Sequence, residues 1–259
     1  MKNSLKKTAL ALSGLVFAAS FAGPAPSLTG SPELTVLYKT TFVRAAPGKL
    51  LDLIALYKER TAVAEAAGDE RPLWWRHTNG DQWDLMILFP MGSYGEFYSP
   101  KRIARRRKAV EAAPLSESEF RNKLAACTAW REDLFVLGPP LGTVKEAFAE
   151  AGYFHIEIFV ALPGKHGELL REREMENAYQ AGIGRPEPLI FVRDQGAAWD
   201  LFTLGCYRDL KTWAGSADIP QDAKEDAARR AGFKSADEIG PYLRTLIEMH
   251  RDTMGVAIK

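Results

Sequence analysis

Cysteine is scarce: Cys127 and Cys206 are the only two in 259 residues, too few for a disulfide framework or for a zinc site of their own. Neither sign of charge dominates, with 34 Lys and Arg against 33 Asp and Glu. That balance excludes a protein that grips nucleic acid through bulk basic charge. The sequence has no HExxH, no CxxC, no GxGxxG or phosphate loop and no GxSxG, so no motif announces a zincin, a dithiol, a nucleotide site or a serine hydrolase. Long apolar runs are missing too. Past the N-terminus nothing approaches the roughly 20 residues a spanning helix needs. What remains is a globular balance of 46% hydrophobic, 26% charged and 10% aromatic residues, enough for one large domain or two of roughly 100–150 residues.

The N-terminus carries an address. Lys2, Lys6 and Lys7 precede an apolar run from Ala9 to Phe21, and Ser20-Phe21-Ala22 is a small-x-small cleavage pattern followed by Gly23-Pro24. This reads as a secretory signal peptide over 1–22, followed by a flexible segment over 23–33. No cysteine stands near the cleavage point to carry a lipid anchor. The expectation is an exported protein, periplasmic or extracellular, with no membrane span in the mature chain.

The rest repeats itself. A shift of 116 residues lays Pro47-Gly48-Lys49 on Pro163-Gly164-Lys165 and Trp83-Asp84-Leu85 on Trp199-Asp200-Leu201. From Ala45 to Leu88, 14 of 44 positions are identical under that shift. Further on, Arg131-Glu132 falls on Arg251-Asp252 at a shift of 120. The chain is a tandem duplication, with copies at 34–140 and 152–259 joined by a linker at 141–151. The composition of Gly138-Pro139-Pro140-Leu141-Gly142 suits such a linker.

Periodicity assigns each copy. Tyr153 to Val160 alternates, with Phe154, Ile156, Ile158 and Val160 on one face and Tyr153, His155, Glu157 and Phe159 on the other, which predicts a strand. A helix follows over His166–Gln180, then strands Leu189–Arg193 and Trp199–Cys206 around a tight turn. A polar helical region over Pro220–His250 leads to a short strand over Met254–Ile258. The first copy predicts strands at Val36–Val43, Leu73–Thr78, Trp83–Phe89 and Leu134–Leu137, with helices at Gly48–Ala67 and Pro100–Trp130. Each copy is therefore β-α-β-β-α-β, the ferredoxin-like order, in the α+β class. Such a sheet has one bare face, and two tandem units can cover one another.

In this order and duplication the chain resembles the dimeric α/β-barrel superfamily in its fused, two-copy form. The resemblance implies a pseudo-dimeric α/β barrel, existing as a monomer with internal pseudo-symmetry or as a homodimer. It admits a cofactor-independent monooxygenase or a haem-using enzyme, and it assigns no residue.

Candidate site residues come from comparing the copies. Trp83-Asp84 and Trp199-Asp200 are kept in both, so a packing and turn-capping role explains them more economically than chemistry. As ligand contacts Asp84 and Asp200 would be an acid or base in each half. The diverged positions carry more information: Lys39 and Thr41 correspond to His155 and Glu157, and His77 corresponds to Arg193. All four first-strand residues are expected on the face opposite the apolar one, between the two sheets. There His155, Glu157 and Lys39 would form a polar cluster, with His77 as the alternative catalytic centre beside Trp75. Arg193 and Trp75 complete the expected ligand contacts. His166 is expected exposed in the first turn of its helix, and His250 as a packing residue before the last strand, aligned with Trp130. Lys101 to Lys108 carries a local charge of +6 without a counterpart in the second copy; it reads as a solvated helix face or, alternatively, a surface for an anion. Cys127 and Cys206 are expected as buried thiols. Three function classes follow: a binder of a small aromatic or apolar molecule, an enzyme of the kind the resemblance admits, or a protein-interaction module.

Overall fold

The computed structural model describes residues 34–258; the expected leader and the whole of the expected segment 23–33 lie outside the described residues. The first repeat runs β1 (Val36–Ala45), α1 (Leu50–Ala66), β2 (Leu73–Asn79), β3 (Leu85–Gly92), α2 (Tyr94–Phe97), α3 (Pro100–Glu111), α4 (Glu117–Cys127) and β4 (Thr128–Gly138). After α5 (Leu141–Ala149), the second runs β5 (Tyr153–Ala161), α6 (His166–Gly182), β6 (Leu189–Gln195), β7 (Leu201–Tyr207), α7 (Leu210–Ala214), α8 (Gln221–Ala231), α9 (Ile239–Arg244) and β8 (Ile247–Ala257). The ranges of α1 and α6, and of β2 and β6, differ by the offset of 116 at both ends. The expected linker thus contains a helix, and both last strands are longer than periodicity suggested. Their registers, Thr41 opposite Asp133 and Glu157 opposite Asp252, correct the late offset from 120 to 119.

The eight strands close into one barrel in the order β1-β3-β2-β8-β5-β7-β6-β4. The repeats join at two seams, β2 with β8 and β4 with β6. Each hairpin tip reaches the last strand of the other repeat. Gly80, at φ +115°, lies so close to Asp252 that a Cβ would collide with its carbonyl oxygen, and Gly196, at φ +85°, would place one 2.9 Å from the carbonyl of Asp133. Glycine is the residue that tolerates both the positive φ and the approach.

The barrel interior takes the apolar face of every strand. Tyr38, Phe42, Trp75, Met86, Leu88, Phe154, Ile156, Phe191 and Phe202 are fully buried there. Their rings interlock: Trp75 stacks on Phe154 at 5.3 Å and Phe191 on Phe202 at 4.6 Å. The expectation that the polar face would lie between the sheets is overturned. Closing a barrel buries the more apolar face inward, so His155, Glu157, Lys39 and Thr41 turn outward beneath the helices. The outer face has its own apolar layer under α1 and α4 (Val43, Leu53, Tyr57, Trp74, Leu85 and Ile87) and another under α6 (Phe159, Leu169, Leu201 and Leu246).

Candidate functional site

The repeated Trp-Asp pair is a fold device. Asp84 Oδ2 accepts from the Ala45 amide at 2.7 Å, and the Asp84 amide donates to Val43 O at 2.8 Å. Asp200 does the same for Ala161 and Phe159, each at 2.8 Å. Each carboxylate therefore clamps the end of the repeat's first strand to the start of its third, satisfying backbone groups where the ladder ends. Asp200 Oδ1 also receives Arg193 at 2.7 Å and His166 at 3.0 Å. The residues expected as ligand contacts, Asp84, Asp200 and Arg193, are thus engaged within the chain. His166 is exposed as expected, yet paired. His77 stands against Trp83 with Nδ1 4.0 Å from Asp84 Oδ1, and that nitrogen is buried without a hydrogen-bond partner. Trp75 is sealed inside the barrel, away from the outer face. Cys127 is buried and Cys206 partly so; both are free thiols.

Lys39 does not join His155 and Glu157. Equivalent strands β1 and β5 lie four places apart in either direction around the barrel, so equivalent side chains point away from opposite sides. Each repeat instead builds its own cluster from its first and last strands. In the first, Asp133 accepts from Thr41 at 2.5 Å and pairs with Lys39 at 3.2 Å and Arg131 at 2.9 Å. Burial works against that carboxylate, but these three partners outweigh it and hold its pKa below the ordinary range.

The second repeat is built differently at every corresponding place. His155 Nε2 lies 3.1 Å from Asp252 Oδ1, and His250 Nε2 lies 2.9 Å from Asp252 Oδ2. His250 sits inside β8, not before it, and opposes Phe159 as Arg131 opposes Val43. Arg244 donates to His250 Nδ1 at 2.8 Å, which assigns the His250 proton to Nε2, facing Asp252. From α6, Arg173 reaches Glu172 at 2.6 Å, Glu176 at 2.6 Å and Glu157 at 3.6 Å. Thr203 donates to Glu157 Oε2 at 3.2 Å. At the offset of 116, Glu172, Arg173 and Glu176 replace Leu56, Tyr57 and Arg60.

Three carboxylates, Glu157, Glu172 and Glu176, gather around one buried guanidinium, and the pKa values of the cluster register the crowding. Burial pushes Glu157 up, reinforced by the Glu176 charge. Burial likewise pushes Glu172 up to about 7, against the pull of Arg173. For His155, burial alone would lower the pKa, but the Asp252 hydrogen bond and the Glu157 and Asp252 charges outweigh it, and the ring titrates above its usual value. Asp252 is held low, first by the His155 hydrogen bond. The Trp213 indole of α7 lies 6.0 Å from the His155 ring at the solvent edge.

His155, Glu157 and Asp252 each offer one ligand atom within 4.8 Å of the others. Haem, which the resemblance admits, finds no room beside His155, although that ring's contact with Asp252 would not itself prevent ligation through the other nitrogen. The space beneath α6 is taken by Arg173 and Glu172, 2% and 0% exposed. Sequence comparison found His155 and Glu157 but missed Asp252, His250, Glu172, Arg173 and Glu176. Reading the helix as well as the strand under the same offset would have flagged three of these.

No family model matches the sequence, and no curated protein matches it. Among solved structures, an anthrone oxidase-like protein is 12% identical with a TM-score of 0.54, over 88% of this chain and 94% of that one. A proposed monooxygenase from Lactobacillus acidophilus NCFM is 8% identical at TM-score 0.51, over 86% and 93%. Another, from Fusobacterium nucleatum, is 9% identical at 0.51, over 87% and 93%. The fold is the dimeric α/β barrel, in its fused two-copy form. Among the described residues of this barrel no helix is long and apolar enough to cross a membrane.

Proposed function

We propose that the protein is an oxygenase-type enzyme that takes up a small aromatic substrate at the partly exposed edge of the second repeat's cluster, beside Trp213, and removes a proton from it at His155. One observation carries the reading. Where the first repeat has Leu56 and Tyr57, the second carries a buried Glu172–Arg173 pair that reaches Glu157 on the strand, two residues from a His155 oriented by Asp252. Buried charge is a weak source of stability, so its presence in one copy only points to use. With Nε2–H donated to Asp252, Nδ1 keeps the lone pair and accepts the proton. Trp213 supplies an aromatic wall beside the ring. Loss of a proton from an activated C–H leaves a carbanion that dioxygen oxidises; a methylene between aryl rings then becomes a carbonyl, with one O2 consumed and one water released. Fold likeness to an anthrone oxidase-like protein and two proposed monooxygenases agrees with this chemistry as analogy.

The test is oxygen uptake with anthrone as the probe. His155→Ala should lower the rate by about 10²–10⁴-fold in protein that still shows a cooperative melting transition, and equal rates would remove His155 from the chemistry. A second reading has a specific support. Thr203 holds Oε2 of Glu157 and His250 holds Oδ2 of Asp252, the kind of outer hydrogen bonding that orients metal-binding carboxylates. With His155 they would offer one nitrogen and two oxygens to a divalent transition metal. Activity that is lost on chelation and restored by Mn2+ or Zn2+ would favour that reading over the metal-free proton acceptor.

A further inference from the structure

The outer helices of the first repeat leave a groove far from His155, between the C-terminal half of α1, α3 and the start of α4. Its volume is about 630 Å3, within the usual range of small-molecule sites. Its walls are apolar, formed by Ala62, Val63, Ala66, Ala109, Ala113 and Phe120. In the second repeat α8 covers the C-terminal half of α6, and the pocket that remains, about 450 Å3, opens nearer the start of that helix, at Glu168, Arg171 and Met175. The two helices lie so near that a Cβ on Gly182 would stand 3.0 Å from that of Ala227, and Met175, Ala228, Ala231 and Phe233 form a small core with Tyr179. At the offset of 116, Glu59 and Val63 occupy the places of Met175 and Tyr179. The first repeat thus presents apolar surface that its twin covers.

The helix α3 that borders the groove buries none of its residues. It is tied down by Arg102 and Arg106, which reach Asp69 at 2.7 and 2.5 Å and lie over the Phe97 ring. These ties account for two of the cations in the basic run. Two others, Arg105 and Lys108, line the groove, and neither pairs with a carboxylate among the described residues. Arg60 is already matched by Glu117 at 3.0 Å, and Glu59 is the one carboxylate on the lining. An apolar slot with two unmatched cations at its rim suits a molecule with an apolar body and one negative head.

The geometry points to a binding site in this groove for a free amphiphilic monocarboxylate, separate from the cluster around His155. The test uses the full chain and calorimetric titration with octanoate, 1-octanol and octylammonium. Octanoate should bind at least 10-fold more tightly than octanol, and octylammonium more weakly than either. Arg105→Glu with Lys108→Glu should erase the preference for octanoate while leaving octanol binding intact. Ala112→Trp, at an exposed lining position, should block all three, and Ala109→Trp should do so from deeper in the wall. Melting temperatures confirm that both variants fold. Octanoate binding no tighter than octanol, binding indifferent to either tryptophan, or no heat at millimolar octanoate would each overturn the assignment. Sedimentation with phosphatidylglycerol vesicles, abolished by Ala112→Trp in place of any octanoate effect, would make the groove a membrane contact and overturn it as well.

Discussion

Arg173 occupies the place that Tyr57 holds in the first repeat: both lie on the sheet-facing side of the repeat's first helix, 2% and 7% exposed. Tyr57 packs against Trp74 and the apolar layer beneath α1. Arg173 lies over Phe159 and gathers Glu157, Glu172 and Glu176. One backbone frame therefore carries an apolar solution and a charged one at the same depth, and the comparison separates what the fold needs from what was added to it.

That separation predicts the result of a transplant. Glu157→Thr, Glu172→Leu, Arg173→Tyr and Glu176→Arg together give the second repeat the residues of the first. Replacing a buried ion cluster by packed apolar groups is neutral or stabilising by about 1–4 kcal/mol, whereas removing one partner costs about 3–5 kcal/mol. The fourfold variant should unfold in urea at or above the wild-type midpoint, and Arg173→Leu alone well below it. A fourfold variant as weak as Arg173→Leu would mean that the cluster is required by the fold.

The His155 ring should titrate above its usual range, because the Asp252 hydrogen bond and nearby carboxylates favour the charged ring more than burial disfavours it. Proton-accepting activity then rises with pH through that elevated midpoint, since the neutral ring is the base. Asp252→Asn removes the largest favourable partner and should move the midpoint down in an NMR titration of the ring. A midpoint that does not move on Asp252→Asn would show that the 3.1 Å contact is not what orients the base.

Stability should fall as pH rises from about 5 to about 8. Glu172, raised to about 7, and Glu157, also raised, are carboxyls whose folded pKa exceeds the unfolded one. Their contribution is complete below the unfolded value and is lost as pH climbs through the folded one. The raised His155 works in the same direction. Asp252, Asp133 and Asp69 are shifted down and lose their contribution only in acid, below this window. Glu172→Gln should flatten the decline by at most about 3 kcal/mol, read from urea midpoints across the range. An equal slope in both proteins would remove Glu172 as its source.

How much was legible in the sequence follows from what a repeat can reveal. Identical positions carried the fold: Gly80 and Gly196 mark the hairpin tips, and Asp84 and Asp200 mark the clamps. Alternation in the first strands correctly divided Phe154 and Ile156 from His155 and Glu157, but it could not tell inside from outside. That depends on closure through the β2–β8 and β4–β6 seams, which are non-local pairings. The grouping of Lys39 with His155 failed for the same reason. The last strands drifted by one residue in alignment, and this hid Asp252 as the counterpart of Asp133.

The leader reading has its own check. Lys2, Lys6 and Lys7 followed by the apolar run to Phe21 should direct export, with cleavage after Ala22. Protein recovered from outside the cytoplasm should begin at Gly23 by N-terminal sequencing. Membrane-bound protein that retains Met1 would show an anchor in its place.

The clamps and the charged cluster should respond oppositely to substitution. Asp84→Ala leaves the Ala45 amide without its 2.7 Å partner, and Asp200→Ala leaves that of Ala161 without its 2.8 Å one. An unsatisfied amide at such a place costs about 1–3 kcal/mol, so each variant should lower the urea midpoint. Asp200→Ala also strips Arg193 and His166 of their acceptor and should cost more than Asp84→Ala. Neither carboxylate touches His155 or Asp252, so turnover of the folded fraction should persist in both variants. If Asp200→Ala kept full stability and lost turnover, the repeated aspartate would be a reacting group and the clamp a by-product of its position.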